Sequence, residues 1–524
     1  MKLLLAGLMA GGAPVQAPSA PPAPAAPRLV VLIAVDQMRA DYLARFATQW
    51  TGGFARIYHG GTVFEHGQQD HAATETAPGH STMLSGRYPA HTGIALNNRG
   101  VQDRTSPVVG APNDTIGASP RRFRGTTLYD WMLARDSGTR VLSVSRKDRA
   151  AIFPIGRGRV PVYWLYNGAF TTSRYYADTL PSWVRAFNAG IDTTRLRMAT
   201  WDLLLPDTAY LEPDSVPYEN GGSDFTFPHR FIAVPGAAPR DLNRAPWIDS
   251  LTLSFALAGV HALRLGSRDG PDLLSISLST TDAIGHAFGP DSREIHDHLL
   301  HVDRWLGQFL DSLAEVVPTG KMVVVLTADH GVTSIPEYTV LARHQPGGRV
   351  SINGVAMGAA AALARRTRDP IAIEADGGLI SADVDALRSH HVDVDSLSAT
   401  LAAEAGQLRG VSQVYTPRTL ALAPHTDQSA ELWRRLLPPD YGWLICAITA
   451  PGYVWSAGGP SAEHGSAHPE DIAVPIAFYG SGIRAQLVRR PVSTVDIGPT
   501  LAAIIGVTPT EPVDGSVLAE VLGP

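Results

Sequence analysis

The chain has 524 residues, 44% apolar and 18% charged, a balance that suits a large globular core and excludes an intrinsically disordered chain. Its net charge of −6 includes no basic stripe, so nucleic acid recognition is not expected. The single cysteine, Cys446, excludes an internal disulfide.

From the N-terminus, Met1-Lys2-Leu3-Leu4-Leu5-Ala6-Gly7-Leu8-Met9-Ala10 places one positive charge before a short apolar run, the pattern of an export signal. Pro18 to Pro27 reads as a semi-rigid Pro/Ala linker, so residues 1–27 precede a catalytic domain over 28–524. The other reading is a tail with no export role. No stretch approaches the roughly 18 unbroken apolar residues of a membrane helix. The expectation is a periplasmic or secreted protein without a membrane span once the signal is removed.

Leu29–Val35 is a short, apolar, largely β-branched run that ends in Asp36. Val141–Val144 predicts another strand. Helical patterns cover Trp247–Leu265 and Glu294–Val316. Between them Leu273–Thr281 reads as a strand ending in Asp282. Met322–Ala328 repeats the design and ends in Asp329-His330, and Ile472–Tyr479 predicts one more strand. Such runs are buried parallel strands, and their alternation with helices predicts an α/β fold with a mostly parallel central sheet and helices on both faces. Residues 151–240 and 332–460, richer in Gly, Pro, Tyr and Trp, are expected as cap segments inserted over one core. Cys446, within Gly442–Ala447, reads as a small core residue.

In open α/β sheets ligands gather at the carboxyl ends of the strands, where this chain supplies three aspartates. Asp282 and His286 are one helical turn apart, and His464 could complete a three-ligand metal site with an open position. Asp36, Asp329 and His330 form a second set. Two divalent ions about 4 Å apart suit an in-line displacement, since they can stabilise the attacking and leaving oxygens. Singly, a strand-end aspartate is more often a helix cap and a histidine a satisfied core residue; it is the convergence that argues for metal. Thr76, in Thr76-Ala77-Pro78-Gly79-His80-Ser81, is expected near a helix N-terminus that favours anions, as a nucleophile awaiting activation or simply as a cap. Lysine is rare. Only Lys2, Lys147 and Lys321 stand among 43 basic residues, so Lys147 is a candidate for a task arginine cannot perform.

Taken in order, Ala34-Val35-Asp36-Gln37, Thr76-Ala77-Pro78-Gly79-His80, Asp282-Ala283-Ile284-Gly285-His286, Ala328-Asp329-His330-Gly331 and His464-Gly465-Ser466 resemble the motifs of the alkaline phosphatase superfamily. The likeness is to its threonine-nucleophile bacterial phosphate monoesterases of the PafA type and, more distantly, to its nucleotide pyrophosphatase/phosphodiesterases. The resemblance implies two Zn2+ per chain, one held by Asp282, His286 and His464, the other by Asp36, Asp329, His330 and Thr76. It implies that Thr76 attacks phosphorus to give a phosphothreonine. It also implies that Asn97, with Asn98 as alternative, donates to a phosphoryl oxygen, and that Lys147 and Arg149 clamp the phosphoryl group. A monoester carries one more negative charge than a diester, so two added cations favour monoesters. The bland alternative for Arg146-Lys147-Asp148-Arg149 is a solvated charged run.

The expected activity is an exported alkaline phosphatase acting on small-molecule phosphate monoesters. The alternative is a phosphodiesterase or nucleotide pyrophosphatase of the same superfamily, a branch that generally lacks the Lys147/Arg149 pair. A phospho-ligand binding protein without catalysis is disfavoured because every proposed ligand and the nucleophile are present. Oligomeric state is not legible in the sequence.

Overall fold

Every side chain of Leu29–Val35 is buried, and the two faces of this strand serve different cores. Leu29, Val31, Ile33 and Val35 pack into one hydrophobic cluster, while Val30, Leu32 and Ala34 pack into another. A strand apolar on both faces needs cover on both sides, and helices supply it. The structure is a computed structural model that describes residues 26–111, 116–192, 199–230 and 244–522. The expected export signal and most of the Pro/Ala linker lie outside the described residues.

Leu29–Val35 is the middle strand of a nine-stranded sheet. The order across it is Gln486–Ser493, Thr62–Gln68, Ile476–Gly480, Met322–Thr327, Leu29–Val35, Asp272–Leu278, Val141–Ser145, Val162–Tyr166 and Ala169–Thr171. Only Ile476–Gly480 and Ala169–Thr171 run against the rest, so the sheet is mostly parallel as expected. Helices Gly53–Gly60, Trp247–Leu263 and Arg293–Val316 pack on one face; Thr76–Met83, Leu128–Arg135, Asp148–Ile152 and Ile497–Ile505 pack on the other.

Three boundaries differ from the sequence reading. The strand expected over 273–281 ends at Leu278, and Thr280–Phe288 is a helix, which moves Asp282 from a strand end into a helix's first turn. The cause is a distant cap: Asp249 Oδ1 accepts from the N–H and hydroxyl of Thr280, at 3.2 and 2.9 Å. The strand expected over 472–479 starts only at Ile476, because Pro469–Ile472 forms a helical turn and Pro475 has no N–H to pair. Within 151–240, expected as a cap, residues 162–171 instead extend the core sheet by two strands, drawn in by the buried side chains of Val162, Tyr163 and Trp164.

Within 332–460 a separate antiparallel sheet runs in the order Ile373–Asp376, Leu379–Ala382, Trp443–Thr449, Val411–Tyr415, with a core of its own. A further cluster joins this unit, through Leu379, Tyr415, Trp433 and Cys446, to Ala72, Ala73, Ala95 and Leu96. Cys446 is fully buried, where burial pushes its thiol pKa well up, in keeping with a packing role. Among the described residues no helix is long and apolar enough to cross a membrane.

Candidate active site

The carboxyl ends of the two central strands deliver the innermost polar residues. Asp36 follows Leu29–Val35, Asp329 follows Met322–Thr327 one residue later, and both are 0% exposed, as is His330. Helix Thr280–Phe288 adds Asp282 and, one turn on, His286, whose Nε2 lies 3.4 Å from Asp282 Oδ1. His464, from the loop beyond the inserted unit, brings its Nε2 to 3.7 Å from the same oxygen.

Each imidazole is held in one tautomer from behind. The Nδ1–H of His286 donates to Ala462 O (2.9 Å), that of His330 to Gly331 O (2.9 Å) and that of His464 to Thr74 O (2.7 Å). A carbonyl can only accept, so in the neutral ring the proton sits on Nδ1 and Nε2 presents its lone pair inward, as a metal ligand requires. Two groups have ligand atoms within 4.8 Å of one another, Asp36/Asp329/His330 and Asp282/His330/His464. His330 belongs to both, and its ring stacks on His464 with centroids 3.7 Å apart. His286 falls outside the compact groups but shares the Asp282 oxygen.

These residues fit a divalent cation. Asp36 Oδ1 and His330 Nε2 are buried without a hydrogen bond, while Asp36 Oδ2 lies 2.7 Å from the Lys147 ammonium and Asp329 Oδ2 faces His80 Nδ1 at 3.1 Å. Unpartnered buried acceptors are costly, and carboxylate oxygens with imidazole nitrogens are the donor set that zinc and its neighbours accept. Burial, then repulsion from Asp329 and Asp282, pushes the Asp36 carboxyl up to about 7. At Asp329 burial acts in the same sense, but His330, His80 and Lys147 outweigh it and hold the group well below the usual range. Asp282 is likewise held down, against its burial, chiefly by Lys147 and His286. Burial, then the neighbouring imidazoles of His330 and His286, depress His464.

Thr76 is the first residue of helix Thr76–Met83, after the extended Glu75, with Pro78 in the first turn where no N–H is needed. A Cβ on Gly79 would stand 2.2 Å from the Asp329 carbonyl oxygen, so glycine lets this helix approach the strand end closely. Lys147, between strand Val141–Ser145 and helix Asp148–Ile152, projects its ammonium into the same space. Its Nζ donates to Thr76 Oγ1 at 3.2 Å and lies 2.7 Å from both Asp282 Oδ2 and Asp36 Oδ2. Among the described residues Arg149 pairs with its neighbour Asp148, at 3.7 Å, and its Nε is buried without a hydrogen-bond partner. Asn97 reaches helix Thr76–Met83, its Oδ1 accepting from Ala77 N at 2.9 Å. Asn98 points away, donating to Asp376 of the inserted unit at 2.6 Å.

Several further side chains line the same space. Glu75 accepts from Asn97 N at 2.6 Å, and burial followed by Asp376 pushes its carboxyl up to about 8. His80 Nδ1 lies 2.9 Å from Thr76 O and 3.1 Å from Asp329 Oδ2, while its Nε2 meets Ser277 Oγ at 3.0 Å. Gln37 touches both ligand groups. The signal for His80 and Gln37 was their place inside the quoted motifs; the Asp249 cap had none.

Comparison with known proteins gives a consistent picture. The family model for type I phosphodiesterase / nucleotide pyrophosphatase matches residues 30–409. The alkaline phosphatase PhoV of Synechococcus elongatus is 30% identical over 95% of this chain and 93% of its own length. The alkaline phosphatase PhoK of Sphingomonas sp is 33% identical over 95% of this chain and 92% of its own. The crystal structure of wild-type alkaline phosphatase PafA superposes with a TM-score of 0.87 at 28% identity, covering 96% of this chain and all of that one.

Proposed function

Since the chain belongs to the type I phosphodiesterase / nucleotide pyrophosphatase family, in the alkaline phosphatase superfamily, we propose that it hydrolyses phosphate monoesters as an alkaline phosphatase, with Thr76 as nucleophile and two zinc ions as cofactors. The observation that carries this reading is Lys147 Nζ, which stands 3.2 Å from Thr76 Oγ1 and 2.7 Å from one carboxylate of each ligand group. Nucleophile, point charge and both metal groups therefore meet at one spot.

Asp282, His286 and His464 would hold one ion, and Asp36, Asp329, His330 and Thr76 the other; bound there, the ions supply Lewis-acid stabilisation of the attacking and leaving oxygens. The chain's own residues account for the rest. Thr76 Oγ attacks phosphorus as its hydroxyl proton leaves; the new O–P bond forms as the bond to the leaving oxygen breaks, and the departing alcohol takes up a proton in its place. Water then attacks the phosphothreonine, releasing phosphate and restoring the hydroxyl. Lys147 Nζ lies within reach to stabilise the Thr76 oxygen once its proton is lost, and afterwards to hold a phosphoryl oxygen. Arg149 adds a fork-shaped donor whose Nε is otherwise unspent. With Asn97 Oδ1 tied to Ala77 N, the amide NH2 is the part left to donate to the phosphoryl group. Burial of Thr76, 1% exposed, keeps bulk water from the attacking atom.

The family description supports a second reading, action on diesters or nucleotide pyrophosphates. Lys147 and Arg149 favour the monoester, whose extra charge they match. The unit within 332–460 acts as a cap over the ester's alcohol portion, the cluster that packs it against Ala72, Ala73, Ala95 and Leu96 supporting this. The charged, then apolar, N-terminal ten residues support export to the periplasm or beyond. Thr76→Ala tests the mechanism: in the metal-loaded chain kcat/KM for an aryl phosphate should fall by more than about a thousandfold. Near-normal turnover would exclude Thr76 as the nucleophile.

A further inference from the structure

Gln37 follows Asp36 directly, is 1% exposed and has no part in the phosphoryl chemistry above. Its backbone sits at φ +68°, a left-handed conformation that glycine takes freely and a glutamine does not. A residue kept in that conformation inside an active site invites the question of what its side chain does.

It bridges. The backbone N–H of Gln37 donates to Asp329 Oδ1 at 3.1 Å, and its side-chain Nε2 donates to Asp282 Oδ1 at 3.1 Å. One residue thus grips a carboxylate of each ligand group. The two carboxylates come from different kinds of element, Asp329 from a strand end and Asp282 from a helix, so sheet register alone does not set their separation. Space for the amide is provided from the other side. A Cβ at Gly285 would lie 1.8 Å from Gln37 Oε1, so glycine at this point of the helix between Asp282 and His286 is what admits the amide. The backbone N–H of His330 also donates to Asp329 Oδ1, at 3.1 Å, so two backbone donors occupy Oδ1 while Oδ2 faces His80 Nδ1 at 3.1 Å.

We propose that Gln37 is a positioning residue that locks the two metal-binding groups at a fixed separation through Asp282 and Asp329, and that Gly285 is glycine in order to seat it. The inference rests on the metal-binding reading of these groups. Two ions act on a single displacement only while their spacing is held, and partners that orient ligand carboxylates commonly change metal affinity by about 10- to 100-fold.

The test uses the metal-stripped full chain titrated with Zn2+ against a chromophoric chelator, so that two binding steps are resolved, together with the Tm of the metal-free protein. Gln37→Gly removes the amide, keeps the N–H to Asp329 and relaxes the backbone, so the metal-free Tm should hold or rise. One binding step should weaken by about 10- to 100-fold while the other stays within about threefold. Gly285→Ala should reproduce the effect by expelling the amide, and the double variant should be no weaker than either single one. Two unchanged binding steps in both single variants would overturn the inference while leaving the metal sites standing. A wild-type chain that binds no Zn2+ would overturn both.

Discussion

The two proposed ligand groups use the same kinds of donor atom at different depths. Asp36, Asp329 and His330 have fully buried side chains at the ends of adjacent central strands. The side chains of Asp282, His286 and His464 are 8%, 23% and 11% exposed and come from a helix and a distant loop. The inner group inherits its geometry from parallel strand register, whereas the outer one is assembled by longer-range contacts: the Asp249 cap, the carbonyls of Ala462 and Thr74, and the Gln37 amide. An inner site of that kind suits a fixed nucleophile, and an outer site suits exchange with leaving group and water.

The largest effect expected from this difference is at His330, an inner-group residue whose ligand atom also lies within 4.8 Å of those of Asp282 and His464 in the outer group. His330→Ala should remove bound metal from both, as measured by elemental analysis, and lower kcat/KM by at least roughly a thousandfold, beyond the loss of a single electrostatic donor. His286→Ala should cost one ion per chain and about a hundredfold in kcat/KM, leaving the inner group loaded. Equal losses in the two variants would abolish the distinction between inner and outer groups.

A smaller effect is expected from pH. In the metal-free chain the Asp36 carboxyl rises from 3.8 to about 7, so the folded state favours its protonated form; that stability is full below 3.8 and is lost as pH climbs through about 7. Burial would lower His286, but Asp282 outweighs it and raises the imidazole from 6.5 to about 9, so its stabilisation is present below 6.5 and lost as pH rises through about 9. In both groups a cation displaces a proton, so the Zn2+-induced rise in Tm should grow from about pH 5 to about pH 9, its lower half reporting Asp36 and its upper half His286. A pH-independent rise would contradict this.

The smallest effect lies at the rim. Arg99 pairs with Glu374 of the inserted unit at 2.8 Å, with side chains 39% and 57% exposed. Arg99→Ala should change stability by less than about 1 kcal/mol, checked by urea unfolding, and turnover by less than about twofold.

The comparison also explains what was legible in the sequence. The inner group was readable because Leu29–Val35 and Met322–Thr327 are apolar, β-branched runs whose ends are marked by aspartates, a local pattern. The outer group was readable as chemistry but not as structure: the Asp282–His286 spacing stood out, yet the start of its helix depends on Asp249, about thirty residues earlier, which no local pattern announces. Strands Val162–Tyr166 and Ala169–Thr171 were missed because their aromatic-rich composition resembles a cap, while their burial is set by tertiary packing. The scarcity of lysine pointed to Lys147. Gln37 escaped notice because both its left-handed backbone and its two carboxylate partners are properties of the folded chain alone.

The most direct test of the central claim is kcat/KM for an aryl phosphate monoester against its matching diester, in the Zn2+-loaded chain and in Lys147→Ala/Arg149→Ala. A strong preference for the monoester is expected, falling by about a hundredfold in the double variant while diester turnover falls by less than about tenfold. A preference for the diester, or equal losses on both substrates, would contradict a phosphate monoesterase built around Lys147 and Thr76.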